Sequence, residues 1–382
     1  METVKLYYEN CHRREFFAKV VSCRETKEGF LVTLDATAFY PEGGGQASDT
    51  GTLGDAKVLC VKEEGGEILH LCDKALEIGA WLQGTVDWDH RFDLMQQHTG
   101  EHIVSGIIHK MFGSHNVGFH MGNDVVTIDF DTPIPQEILP EIERQANEAV
   151  FLNLPVRCWY PSQEELPQVA YRTKKALPWP VRVVEIPGFD TCACCGVHVA
   201  NTGEIGYIKL LSCVKFHEGV RMEMICGRRA TEYMQKVFEQ NRLVSQAFSA
   251  KLLETGEAAN RMNETLAAEK YRAAGLERRL YEGVAESYRD KGDVIFFGEG
   301  MEPVALRQLA DKICDICGGT AAVFSGSDGE GYSVCLANKA EDIKALGQAM
   351  NAALQGRGGG KPGFFQGSVK ATRKEIEAFF QK

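Results

Sequence analysis

Two pairs of metal-ligand residues at matching spacing, His98-Thr-Gly-Glu-His102 and Cys194-Cys-Gly-Val-His198, constrain this chain more than any other feature. Side chains at i and i+4 of a helix lie one above the other, so each pair can share one cation. For both pairs to bind the same ion, segments some ninety residues apart must meet in the fold. Three imidazoles and a thiolate suit tetrahedral Zn²⁺ better than Mg²⁺ or Ca²⁺, which prefer oxygen. A lone histidine reads more simply as a hydrogen-bonded structural residue; two such pairs favour metal. His98-x-x-Glu101-His102 also fits the H-x-x-E-H pattern of inverted zinc peptidases, with the glutamate as general base. Those sites take a carboxylate as third ligand and keep a water position, whereas Cys194 and His198 are ready to close the shell.

At 382 residues, 44% hydrophobic and 25% charged, the chain can build two or three domains with their own cores. Thirteen scattered cysteines, no signal peptide and no apolar run of 18 residues point to a reduced, cytoplasmic protein rather than a disulfide scaffold. Cys314-Asp-Ile-Cys317 continues the helical spacing of Leu306, Leu309 and Ile313, which argues for core packing over redox chemistry.

The net charge of −11 opposes a nucleic-acid partner, but two local strips do not. Between Gln168 and Val184 stand Arg172, Lys174, Lys175 and Arg182 with no acid; between Gln355 and Lys374 stand Arg357, Lys361, Lys370, Arg373 and Lys374, again with no acid. Phosphates respond to charge within a Debye length of roughly 8 Å, so such strips can hold RNA on an acidic protein. The plainer reading is solvated surface.

The patterning gives an α+β fold in four segments. Residues 1–88 show short alternating runs such as Phe30–Leu34 and Lys57–Val61 between glycine-rich turns, as in a small β-barrel or sandwich. Residues 89–230 mix a histidine-bearing helix, strands such as Val125–Phe130, a helix at 135–152 and the cysteine turn, an α+β domain that houses the metal. Residues 231–288 lack proline and are rich in helix formers, a helical linker or hairpin with a break at Thr255-Gly256. Met234, Val237, Phe238, Val244, Leu252, Met262, Leu266 and Leu280 are its expected buried positions. Residues 289–382 alternate strands and helices as a compact α/β module.

Two glycine stretches remain. Thr37-Ala-Phe-Tyr-Pro-Glu-Gly-Gly-Gly-Gln46 joins a strand to a turn where missing side chains allow a sharp bend or a close approach. Gly356-Arg-Gly-Gly-Gly-Lys-Pro-Gly363 reads as a cationic loop able to cradle phosphate through N–H groups, without the Gly-Lys-Ser/Thr ending of a P-loop.

Thr37–Gln46, Asp49-Thr-Gly51, His98-x-x-x-His102, Cys194-x-x-x-His198 and Gly358-Gly-Gly-Lys-Pro-Gly363 stand in the order found in the editing half of alanyl-tRNA synthetases. Over nearly its whole length the chain resembles a free-standing alanyl-tRNA editing protein of the long type, ending in the DHH-associated domain that the synthetases also carry. The resemblance implies a β-barrel and a zinc-containing editing domain, then a helical linker and a tRNA-binding C-terminal domain, without the adenylate-forming domain. It implies deacylation in trans of tRNA(Ala) wrongly charged with serine or glycine, with zinc on His98, His102, Cys194 and His198. By the same resemblance Thr37 reads the serine hydroxyl and Gln46 positions the ester or an attacking water. Arg172, Lys174, Lys175, Arg182, Arg357 and Lys361 are the expected tRNA contacts, and the helical segment is the expected seat of a homodimer. Glu101 departs from the small or neutral residue common in the family and is expected to face solvent; Cys192 and Cys195 stand close enough to exchange with Cys194 as ligand. The rival readings are a non-catalytic tRNA-binding module with structural zinc and, behind it, the inverted zinc peptidase.

Overall fold

A computed structural model describes residues 3–173 and 177–381. It divides into two compact units, Met1–Leu243 and Val244–Lys382.

The first unit opens with a closed antiparallel barrel of six strands, in the order Glu15–Glu25, Phe30–Leu34, Glu67–Cys72, Ala56–Glu64, Gly51–Leu53 and Trp81–Val86. Alternation drives it: on the first strand Phe16, Ala18 and Val20 point inward while Glu15, Phe17 and Lys19 face out. Closing the sheet leaves no free edge. The chain then enters the helix Trp88–Phe112, which is capped by Asp87 accepting from the His90 N–H and stopped by Gly113 in the left-handed region at φ 66°. Leu94 to Ile108 are all buried, so the middle of this helix is enclosed on every side.

Three elements enclose it: the helix Leu139–Phe151, a four-stranded antiparallel sheet (Ile208–Phe216, Gly219–Cys226, Val126–Phe130, Asn116–Met121) and a three-stranded sheet (Arg157–Trp159, Val183–Ile186, Asp190–Ala193). Barrel residues such as Val32, Leu53 and Ile68 share one continuous hydrophobic core with Met95, Ile103 and Met222.

The helix Gly227–Ala247 runs across the boundary between the units, and a second helix spans Thr255–Glu286. The break lies at residues 248–254, so Thr255-Gly256 starts the second helix instead of interrupting one. The helical periodicity is present but the burial expected from it is not: Val237, Phe238, Met262, Leu266 and Leu280 are half exposed or more. Spacing reports which residues share a face, not whether anything covers that face. Ion pairs within the helices, among them Arg242 with Glu239 and Arg272 with Glu269, add a little local support.

The second unit is a five-stranded sheet in the order Gly292–Gly298, Gly318–Ser327, Gly331–Ala337, Phe364–Val369 and Arg357–Lys361. Its first pair is parallel, joined through the helix Pro303–Cys317, and the rest are antiparallel. Ala321 and Val323 face one core while Ala322 and Phe324 face another, as a sheet covered on both sides requires. Cys314 and Cys317 are buried in the first of these cores. No described helix is long and apolar enough to cross a membrane.

Candidate metal centre and active site

The enclosed helix presents His98 and His102 from one face, and both are buried. Cys194 and His198 arrive from the irregular segment after the strand Asp190–Ala193 rather than from a helix. The four ligand atoms lie within 4.8 Å of one another.

Each imidazole is gripped through Nδ1. That of His98 lies 2.8 Å from Gln46 Oε1, that of His102 3.0 Å from Asp190 Oδ2 and that of His198 3.3 Å from Thr99 Oγ1. The Nε2 atoms are thereby left for the centre: His98 Nε2 lies 3.4 Å from Cys194 Sγ, and His198 Nε2 is buried with no hydrogen-bond partner. Rings fixed by one nitrogen with the other converging on a thiol is how metal-binding imidazoles are prepared. This donor set fits Zn²⁺.

The charges agree. Burial alone would raise the Cys194 thiol, but the neighbouring imidazoles hold it well below its ordinary range. Burial, then the charge of His98, push His198 down to about 3. Burial opposes the imidazolium of His102, yet the Asp190 carboxylate and Cys194 thiolate hold its affinity for a proton up. These directions favour the thiolate of Cys194 and the neutral ring of His198, the forms in which the two side chains bind a cation.

Asp190 is itself clamped by Arg172, with Nε 2.7 Å from Oδ1 and Nη2 2.8 Å from Oδ2. Asp190→Asn should therefore weaken zinc binding by roughly 10–100-fold, measured by competition with a chelating dye. An unchanged affinity would remove Asp190 from the site.

Gln46 reaches His98 because the triple-glycine turn folds back on itself, with Gly43 and Gln46 exchanging backbone hydrogen bonds of 3.1 and 3.0 Å. Gly44 and Gly45 adopt φ of 62° and 85°, and a Cβ on Gly45 would run into Phe119, the ring stacked on His98. The turn is tied to the enclosed helix by a fully buried ion pair: Arg91 Nε donates to Asp49 Oδ1 at 2.7 Å, and Asp49 Oδ2 accepts from the Tyr40 N–H at 2.5 Å.

Thr37 is not among the groups gathered round Cys194. It is fully buried, 2.8 Å from His70 Nε2, and its Oγ1 accepts from the Phe39 N–H at 3.1 Å. His70 is buried as well and pushed down to about 4 by that burial, and its Nδ1 lies 3.0 Å from the Val32 carbonyl. A carbonyl only accepts, so Nδ1 carries the proton and Nε2 must accept from Thr37. The Thr37 hydroxyl thus keeps one lone pair and no proton for a ligand.

Four expectations from the sequence are corrected here. Arg172 is engaged by Asp190, and Arg182, 7% exposed, donates from Nη1 to the Cys194 and Gly196 carbonyls at 2.9 and 2.8 Å. Both arginines build the site rather than offer themselves to phosphate, because buried acceptors claim their donors first. Glu101 is buried, not solvent-facing, and accepts from Ser105 and Asn116 at 2.5 and 2.6 Å. The stretch read as a glycine loop at 356–363 is mostly the edge strand Arg357–Lys361. Lys174 and Lys175 lie outside the described residues, while Arg357 and Lys361 are exposed on that edge strand.

Cys192 stands with His102 and Asp190 in a second set of close donors, whereas Cys195 is exposed. Sequence reasoning missed Tyr8, Asp49, His70, Arg91, Thr99 and Asp190. Each acts through a partner 18 to 187 residues away, which local pattern does not reveal, save that Asp49 falls inside the ordered motifs.

The Cys/His segment lies within residues 181–222, which match the family described as threonyl and alanyl tRNA synthetase second additional domain. The C-terminal sheet lies within residues 290–382, which match the DHHA1 domain. The first of these matches gives the chain a module that is described from tRNA synthetases. Across 98% of its length the chain is 29% identical to alanyl-tRNA editing protein Aarsd1 of Mus musculus and 28% identical to that of Danio rerio, covering 96% of each. It is 31% identical to the alanine–tRNA ligase of Thermofilum pendens over 96% of this chain and 42% of that enzyme. A crystal structure of the C-Ala domain of Aquifex aeolicus alanyl-tRNA synthetase aligns at 26% identity with a TM-score of 0.21, covering 24% of this chain and 84% of that one. The chain is a relative of the alanyl-tRNA editing proteins along nearly its whole length, as its ordered motifs imply.

Proposed function

We propose that this protein is a zinc-dependent aminoacyl-tRNA deacylase that acts in trans, in the cytoplasm, on tRNA(Ala) wrongly charged with serine or glycine. The observation that carries the reading is the buried quartet His98, His102, Cys194 and His198 with Gln46 against it, in a chain similar end to end to alanyl-tRNA editing proteins. An alanine-sized pocket cannot strongly reject one added hydroxyl, so a separate hydrolytic site has to remove the error.

Zinc on the quartet would supply a fixed positive charge that anchors the aminoacyl group or assists at its carbonyl. The rest falls to the chain. Asp190 and Thr99 hold two of the imidazoles in place, and Gln46 holds the third while keeping its own NH₂ unpartnered. Thr37, reduced to an acceptor by His70, suits a serine hydroxyl, which can donate, and not an alanine methyl, which cannot. Because Thr37 is sealed, this part of the reading requires the segment 37–46 to open to substrate.

Arg357 and Lys361 on the exposed edge strand are the remaining described candidates among the expected phosphate contacts. The apolar residues left exposed on the two long helices suit pairing with a second copy.

The test is deacylation of Ser-tRNA(Ala), Gly-tRNA(Ala) and Ala-tRNA(Ala) by the zinc-loaded protein. Loss of the seryl or glycyl ester with the alanyl ester spared is the expected result. Binding of tRNA without cleavage of any ester would replace this reading with a non-catalytic binding module.

A further inference from the structure

The backbone between Cys194 and Val197 is held in an unusual way. Three successive carbonyls are taken from one side: Arg182 Nη1 donates to those of Cys194 and Gly196 at 2.9 and 2.8 Å, and the Tyr8 hydroxyl donates to that of Cys195 at 2.6 Å. The Arg182 guanidinium lies 4.5 Å over the Tyr8 ring, so the two donors form a single wall. In a trans peptide the N–H after a carbonyl points the opposite way, and these peptides are trans.

The next three N–H groups therefore aim away from that wall. Two of them show where: the Gly196 N–H donates to Cys194 Sγ at 3.3 Å, and the Val197 N–H donates to Gln46 Oε1 at 3.2 Å. Gly196 is pressed so close that a Cβ there would overlap the His98 ring. The Cys195 N–H, in the same run, makes no hydrogen bond among the described residues. Gln46 supplies a second, independent sign. Its Oε1 takes the Val197 N–H and sits on His98 Nδ1, which fixes the orientation of the amide and leaves Nε2 buried with no partner. Buried polar atoms without partners are rare enough to need a reason.

We propose that the Cys195 N–H and the Gln46 NH₂ form an oxyanion hole for ester hydrolysis, with Tyr8 and Arg182 as positioning residues that aim the backbone donor. The inference rests on the deacylase reading above. Water oxygen bonds to the ester carbonyl carbon, and the carbonyl electron pair moves onto its oxygen, which the two donors meet. Collapse breaks the bond to the ribose, whose oxygen takes the proton lost by water, freeing the amino acid and the tRNA hydroxyl. Successive N–H groups on one side of a turn make a concave site for negative charge, and donors fixed in advance stabilise it without reorganisation.

The test compares wild type, Tyr8→Phe and Arg182→Lys, all zinc-loaded, on Ser-tRNA(Ala), with zinc content measured in parallel. Two probes separate ground state from transition state: an uncharged seryl amide of adenosine, and a phosphonate whose charged oxygens copy the tetrahedral intermediate. Loss of a whole oxyanion donor costs about 10²–10³ in kcat, so a misaimed one should cost about tenfold or more. The expected result is that fall in kcat with KM, zinc content and amide affinity held, and phosphonate affinity lost in step.

Loss of zinc in both variants would reduce Tyr8 and Arg182 to supports for Cys194. A raised KM with kcat intact would return Arg182 to tRNA contact, and unchanged phosphonate binding would remove the oxyanion hole. Each of these overturns the inference while leaving the deacylase reading standing; failure of wild type to cleave any ester overturns that reading instead.

Discussion

Cys194→Ala combined with His198→Ala is expected to strip the protein of metal and abolish deacylation while leaving the barrel folded. Two of four ligands go, and with them the only sulfur in the quartet. Zinc content should fall from about one per chain to near zero. Where zinc is present at about a thousand times its dissociation constant, binding stabilises the fold by about 4 kcal/mol, which the variant forgoes. In a unit of this size that is a melting temperature lower by about 10 °C. Wild type treated with a chelator should match the variant. Full zinc content in the variant would mean that the ion sits elsewhere, with Cys192, Asp190 and His102 as the alternative donors already in place.

The second large effect is on stability. Arg91→Met leaves the Asp49 carboxylate without its cation in a position where both side chains are wholly buried. Breaking a buried pair from one side costs about 3–5 kcal/mol, because the charge left behind has no water to turn to. Arg91 also holds the Ala38 carbonyl at 2.6 Å, so the loss spreads into the segment that carries Gln46. Arg91→Met with Asp49→Leu should recover much of the stability, since an apolar pair of similar volume removes the stranded charge. Urea unfolding of wild type, Arg91→Met, Asp49→Leu and the double variant gives the coupling directly. If the double variant is no better than Arg91→Met alone, the cost comes from packing and not from charge.

Parts of this site can be read from the chain because they obey local geometry. His98 and His102 are one helical turn apart, and Cys194 with His198 completes a donor set whose chemistry names a soft divalent ion. The barrel follows from alternation. What cannot be read is which partner a charge will meet. Arg172 and Arg182 belong to a strip without acids, but Asp190 stands eighteen residues from Arg172, and Arg182 spends its donors on carbonyls, which no charge count includes. Glu101 is misread for the complementary reason. It sits on a helix enclosed on every side, so Ser105 and Asn116 reach it where solvent was expected. On the long helices the error runs the other way, since apolar spacing predicts a face and the fold leaves that face bare. The glycines at 358–360 suggest a loop, yet pairing with Gly367, Gln366 and Phe365 across the sheet makes them a strand.

The single core running through the barrel and the enclosed helix sets a limit on how this protein can be divided or inherited. The four candidate ligands come from one side of residue 88, but Gln46, which grips His98, and Asp49, which neutralises Arg91, come from the other. A cut there would leave two fragments, each with an exposed apolar surface and neither with the four donors and Gln46 together. The smallest piece that keeps these donors together with Gln46 and Asp49 is thus the whole first unit, while the C-terminal sheet is built on cores of its own.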